Sequence, residues 1–100
     1  MVVEFNAEAA AEYDEAVEWY RKRSPRTSVR FVNAVQSALD KIEGDPNRFA
    51  RVQSGCQRCG LQPFPYSIIY KALAAKLVIV AVMHAKRRPD YWQYRLGVSE

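Results

Sequence analysis

Residues 83–95, MHAKRRPDYWQYR, gather the side chains best suited to acid–base or phosphate chemistry: His84, Lys86, Arg87, Arg88, Tyr91, Trp92, Tyr94 and Arg95. His84 is the chain's one histidine, the residue type used most often as a general acid or base. Cleaving RNA through its 2′-hydroxyl requires a base, a proton donor for the leaving oxygen, and cations around the pentavalent phosphate. This segment offers His84 and Tyr91 for proton transfer and several arginines for charge. The same residue types also build a gripping surface, because arginine forks bind anions and aromatic rings stack on bases or close the open face of a sheet. For His84 the plain alternative is a hydrogen-bonded histidine at a strand end, and for Trp92 a packed ring. The choice rests on whether the rest of the chain supplies the remaining groups of an active site.

Cys56 and Cys59, in CQRC, are the other candidates for chemistry. A zinc site needs about four ligands, and one cysteine pair with a lone histidine leaves it incomplete. A thioredoxin-like C-x-x-C sits where a strand opens a helix, whereas strand and turn residues flank this one. The expectation is therefore no metal, no cofactor, and two reduced, partly buried thiols.

Composition narrows the class. One hundred residues, 49% hydrophobic and 26% charged, are expected to form a single folded domain over 1–100, not a disordered chain. No apolar run approaches the roughly 20 residues of a membrane span. The N-terminus MVVEFNAEAAAEYDEA has neither the basic nor the apolar region of a signal peptide, so a cytoplasmic protein is expected. The net charge of +4 is polarised: residues 1–20 carry six acidic groups and no basic one, whereas residues 47–100 carry nine basic groups against Asp90 and Glu100. Such a layout fits an anionic partner, whether nucleic acid or an acidic protein segment, and also an ordinary solvated surface.

These residues must be positioned by the elements before them. VVEF (2–5) reads as a short strand. Asn6 suits an N-cap, and Ala9, Tyr13, Ala16, Val17 and Tyr20 recur at helical spacing through a first helix ending in Arg21, Lys22 and Arg23. Ser24-Pro25 restarts the chain as N-cap and first helical residue, and Phe31, Val35, Ala38, Leu39 and Ile42 line a second helix that runs to about Glu43. So short a joint forces an antiparallel helical hairpin. NRFARVQSG reads as a loop, CQRCGLQPF as an irregular strand, and YSIIYKA (66–72) with KLVIVAVM (76–83) as an antiparallel hairpin. Strict alternation in the last strand puts Val78, Val80 and Val82 on one face, continued by His84, and Leu77, Ile79, Ala81 and Met83 on the other. A strand apolar on both faces is central, with the helices over one face and the tail with Tyr91 and Trp92 over part of the other. The predicted fold is α+β, in the order β-α-α-β-β-β: a short strand, a helical hairpin, a three-stranded antiparallel meander, and a short C-terminal helix or turn.

In that order AEYDEAVEWY, the SP break, FVNAVQSALDKIEGDPNRF, LQPFPYSIIY and VIVAVMHAKRRPDYW resemble the RelE/ParE superfamily, the toxins of type II toxin–antitoxin (plasmid stabilisation) systems. The resemblance covers nearly the whole chain. It implies one of two activities. RelE-like members cleave mRNA on the ribosome, and ParE-like members inhibit DNA gyrase without nuclease chemistry. Aligned through Tyr66, the basic positions of the RelE-like enzymes fall at Arg58, Gly60, Ser67 and Arg87, so two of four cations are missing. Their C-terminal tyrosine corresponds to Tyr91 or Tyr94. Losing one preorganised charge typically costs about 2.7–4 kcal/mol of transition-state stabilisation.

The ParE-like assignment is therefore preferred, with no catalytic residue assigned and Arg87, Arg88, Tyr91, Trp92 and Arg95 as a target-binding surface for DNA gyrase. The resemblance further implies a cognate antitoxin that lays a helix on the helical hairpin, with a strand on the sheet edge as a further contact, and through which alone operator DNA is bound. The alternative is a ribosome-dependent endoribonuclease using Arg58, His84, Arg87 and Tyr91 on mRNA. A third reading is a non-toxic chromosomal relative serving as a binding module.

Overall fold

In the computed structural model, which describes residues 1–97, the chain begins with β1 (Val2–Phe5), α1 (Ala7–Arg23) and α2 (Pro25–Gly44). It continues through β2 (Ala50–Arg51), β3 (Gln57–Gly60), β4 (Tyr66–Ala72) and β5 (Lys76–His84), and closes with a short helix, α3 (Tyr94–Gly97). Glu100, counted among the acidic groups, lies outside the described residues. The α+β architecture is as predicted. All five strands join one sheet in the order β1-β5-β4-β3-β2.

One feature of the sheet differs from the sequence reading and a second was left open by it. Ala50–Arg51, read as loop, is a strand pairing with Gln57 and Arg58; two residues are too few to carry an alternating pattern. β1 runs parallel to β5, from Val2 opposite Lys76 to Phe5 opposite Ile79, and so adds a parallel edge strand to the antiparallel meander.

The helical hairpin follows from one residue. Ser24 ends α1 by donating its N–H to Tyr20 C=O at 2.7 Å, and starts α2 by accepting the Thr27 N–H on Oγ at 3.2 Å. With Pro25 at the first position, no loop intervenes, and the helices fold back on each other. α1 starts just as tightly: Asn6 Oδ1 accepts the Ala9 N–H at 2.7 Å immediately after β1 ends. At the β4–β5 connector Leu73 N–H donates to Lys76 C=O at 2.8 Å, closing the turn over Ala74 and Ala75 with neither in the left-handed region.

The core has two unequal layers. The helices bury Phe31, Val35 and Ile42 against Ile68, Tyr70, Leu77, Ile79 and Val82 of the sheet, with Tyr13, Tyr20, Phe64 and Tyr66 packed around them. Phe31 is the hub of this layer, its ring 5.2–5.3 Å from those of Tyr20, Phe64 and Tyr66; a buried side chain of this size contributes about 1.5–3 kcal/mol. The other face is thinner. There Cys56, Ile69, Val80, Ala81 and Met83 pack with one large buried side chain, Trp92, and Val52, Val78, Tyr91 and Leu96 lie partly buried around them.

A bulge in β5 corrects the predicted faces. Ile69 pairs with Ala81 and Tyr70 with Ile79, so Val80 is the extra residue. Strict alternation breaks there. Leu77, Ile79 and Val82 face the helices, while Val80, Ala81 and Met83 all face Trp92. His84 consequently follows Val82 onto the helix side.

Candidate functional site

β5 and the turn after it carry the candidate residues to one end of the sheet. His84, the last residue of β5, sits opposite Tyr66 with its ring 4.9 Å away and edge-on to it. Its Nδ1 accepts the Lys86 N–H at 3.0 Å, and its carbonyl accepts the Arg87 N–H at 3.0 Å, which folds the chain tightly after the strand. In the neutral ring this leaves the proton on Nε2. Arg87 lays its guanidinium over the Tyr91 ring, 3.9 Å from the centroid. Arg88 is 84% exposed and lies 3.6 Å from Asp90.

Together with Trp19 and Glu15 of α1, the residues Tyr66, His84, Arg87 and Tyr91 line a cleft of about 210 Å³. Burial, reinforced by Tyr20 and Glu15, pushes the Tyr66 hydroxyl above its ordinary pKa. Tyr91 is pushed up further, first by burial and then by its hydrogen bond to Glu12, which accepts its proton at 2.7 Å. A phenol so held is a poor proton donor to anything else.

Glu12 is the residue that sequence reasoning missed. Its side chain is only 14% exposed and that of Arg95 6%. Arg95 Nη1 donates to Glu12 Oε1 and Nη2 to Oε2, both at 2.9 Å, and Nη1 also donates to Val80 C=O at 3.0 Å. Burial by itself raises the Glu12 pKa, but its bonds from Arg95, Tyr91 and the Val82 N–H outweigh that and hold the carboxyl below its ordinary range. The same carboxylate holds Arg95 firmly protonated, against the burial of the guanidinium. Helical spacing puts Glu8, Glu12, Glu15 and Trp19 on one stripe of α1, but that the tail lies against this stripe is seen only in the structure. Tyr94 donates its hydroxyl proton to Glu8 at the same stripe.

His84, Arg87 and Tyr91 are thus brought together, and Arg58 is not among them. Arg58 lies opposite Ile69, whose side chain faces Trp92, and its Nε donates to Ser67 Oγ at 3.0 Å. It therefore stands on the sheet face away from the helices. Among the five target-binding candidates, Arg87 and Arg88 are exposed and Tyr91 is half-buried. Trp92 and Arg95 are corrected to interior residues: Trp92 has no exposed surface because it is the lid of the thin layer, and Arg95 is committed to Glu12. The two thiols face opposite ways, Cys56 toward Trp92 and Cys59 toward the helices. Burial pushes both above their ordinary pKa, so neither is a ready thiolate.

The chain is thus a small α+β domain, a helical hairpin over a mixed five-stranded sheet with a basic turn at the end of its last strand. The family model described as ParE toxin of type II toxin-antitoxin system, parDE, matches residues 3–89. The protein belongs to that family. A solved structure described as a chromosomal ParDE TA system from P. aeruginosa shares the fold, with a TM-score of 0.72 at 17% identity over 86% of this chain and 97% of that chain. No curated protein matches the chain in sequence. Among the described residues, no helix is long and apolar enough to cross a membrane.

Proposed function

We propose that this protein is the growth-inhibiting toxin of a type II module, acting in the cytoplasm by binding DNA gyrase rather than by cutting RNA, and neutralised by a cognate antitoxin. One observation carries the reading. The cations a nuclease would need do not converge: Gly60 and Ser67 bring none, and Arg58 is bonded to Ser67 on the other sheet face. What remains at the cleft is an exposed basic turn, Arg87 and Arg88, suited to an acidic surface on a protein.

The antitoxin has a seat of its own in this reading. Phe5, Tyr13, Val32, Val35 and Leu39 line an apolar groove of about 350 Å³ between α1 and α2. Its apolar lining suits the apolar face of an amphipathic helix. Operator DNA enters only through the antitoxin.

Inducing the chain alone in bacteria is the test. The expected result is SOS induction with gyrase-dependent DNA breaks. Transcript cleavage during translation would overturn the reading, and so would unimpaired growth. The nuclease reading keeps one observation in its favour, the placement of His84, Arg87 and Tyr91 in one cleft. His84→Gln separates the two: toxicity should change little, whereas Arg87→Glu with Arg88→Glu should abolish it.

A further inference from the structure

β1 covers the outer edge of β5 only as far as Ile79, whose carbonyl accepts the Asn6 N–H at 3.0 Å. There the chain leaves the sheet to begin α1, and among the described residues no strand pairs with the outer side of the next stretch of β5. Two side chains stand in for it. Glu12 Oε1 accepts the Val82 N–H at 3.0 Å, and Arg95 Nη1 donates to the Val80 carbonyl. Glu12 thus takes four donors on two oxygens: Val82 N–H and Arg95 Nη1 on Oε1, Tyr91 Oη and Arg95 Nη2 on Oε2. Three of those four come from the C-terminal tail.

We infer that Glu12 is the positioning residue of the target-binding turn: it clamps Tyr91 and Arg95 to the open edge of β5, and the Tyr91 ring in turn sets the Arg87 guanidinium. The other anchors lie at the margins of the turn: Ala85 N–H donates to Pro65 C=O at 2.8 Å, and Trp92, after Tyr91, is buried. The turn from Ala85 to Asp90 is exposed over most of its length, and its two ends are His84 in the strand and Tyr91 on Glu12. Freed from Glu12, Tyr91 would lose its only hydrogen bond to α1, and Arg87 would lose a fixed ring to lie on. An ordered arginine forfeits less conformational entropy on binding than a mobile one. This inference rests on the basic turn being the target-binding surface.

The test compares Glu12→Gln, Arg87→Ala and the pair together, with Arg87→Glu/Arg88→Glu as the control for the reading itself. Growth inhibition is titrated by inducer dose, and amide hydrogen exchange of the purified full chain is followed over residues 85–97. Glu12→Gln should speed exchange of those amides and raise the inhibitory dose about tenfold, the scale of losing one interface anchor. In the Arg87→Ala background it should add nothing further, a non-additivity that a general loss of stability would not produce. If Glu12→Gln fails to fold, Tyr91→Phe keeps the ring beneath Arg87 and removes only one bond, with an expected rise of about threefold. Full potency with a loosened tail overturns the inference, and so does a tail that stays protected. Undiminished toxicity of Arg87→Glu/Arg88→Glu overturns the reading beneath it, and does so without reference to Glu12.

Discussion

From Lys76 to Ile79 the outer edge of β5 is paired to β1 by a parallel backbone ladder, whereas from Val80 to Val82 it is closed by two side chains, Arg95 and Glu12. Both solutions bury the strand's polar groups and keep the edge from pairing with another chain. They differ in what they depend on. A ladder uses groups that nearly every residue carries, so it tolerates substitution as long as the strand persists. The side-chain cap depends on two residues 83 positions apart, and one substitution removes it. The cap also does what a ladder alone would not, since it ties the C-terminal tail to the first helix. A site built on that tail inherits its order from a residue near the other end of the chain.

The largest break in this contrast should come from Arg95→Met. It leaves Glu12 buried without its cation and Val80 without its donor, and about 3–5 kcal/mol of stability should be lost in urea unfolding. Adding Glu12→Gln should recover part of that loss, because the stranded charge is gone.

Trp92→Phe should cost less, about 1–2 kcal/mol by the same measurement. The smaller ring leaves a gap in the thin layer, but the substitution also removes a buried indole N–H that has no hydrogen-bond partner among the described residues. Trp92→Ala, which opens the layer altogether, should cost about 3–5 kcal/mol.

Acid should distinguish the two halves of the edge. The Glu12 carboxyl is held below its ordinary value of 4.5. A depressed carboxyl contributes stability above the unfolded value and loses it as pH falls through the folded one. The melting temperature should therefore drop below pH 4.5 more steeply in the wild type than in Glu12→Gln. The two proteins should converge in strong acid. A wild-type curve parallel to that of Glu12→Gln would break this account of the cap.

The smallest effect belongs to the ladder half. Lys76 and Glu4 form an ion pair at 2.9 Å beside the backbone pairs, but both are well exposed. Glu4→Gln should shift stability by about 0.5 kcal/mol or less. A larger loss would mean that side chains matter to this half as much as to the other.

Much of the frame was legible because its signals are local. Ser24-Pro25 predicts the joint of the hairpin, and Asn6 predicts the start of α1, since capping satisfies backbone groups within a few residues. The apolar run 76–83 reads correctly as a strand covered on both faces. Its faces do not, because the bulge at Val80 arises from pairing with β4 and leaves no mark on the alternation of β5 alone. The parallel partnership of β1 was hidden for the same reason, and β2 because two residues carry no alternation.

The candidate site divides along the same line. Residue types along MHAKRRPDYWQYR establish that a basic, aromatic turn follows the last strand, because charge and ring are properties of the side chain itself. Sequence also determines that Gly60 and Ser67 bring no cation. Only the tertiary structure decides that Arg58 stands across the sheet from His84, that Trp92 and Arg95 are interior, and that Glu12 holds the tail. Burial and hydrogen bonding between Glu12 and Arg95 depend on how a helix and a sheet edge meet in space, and no local pattern encodes that meeting.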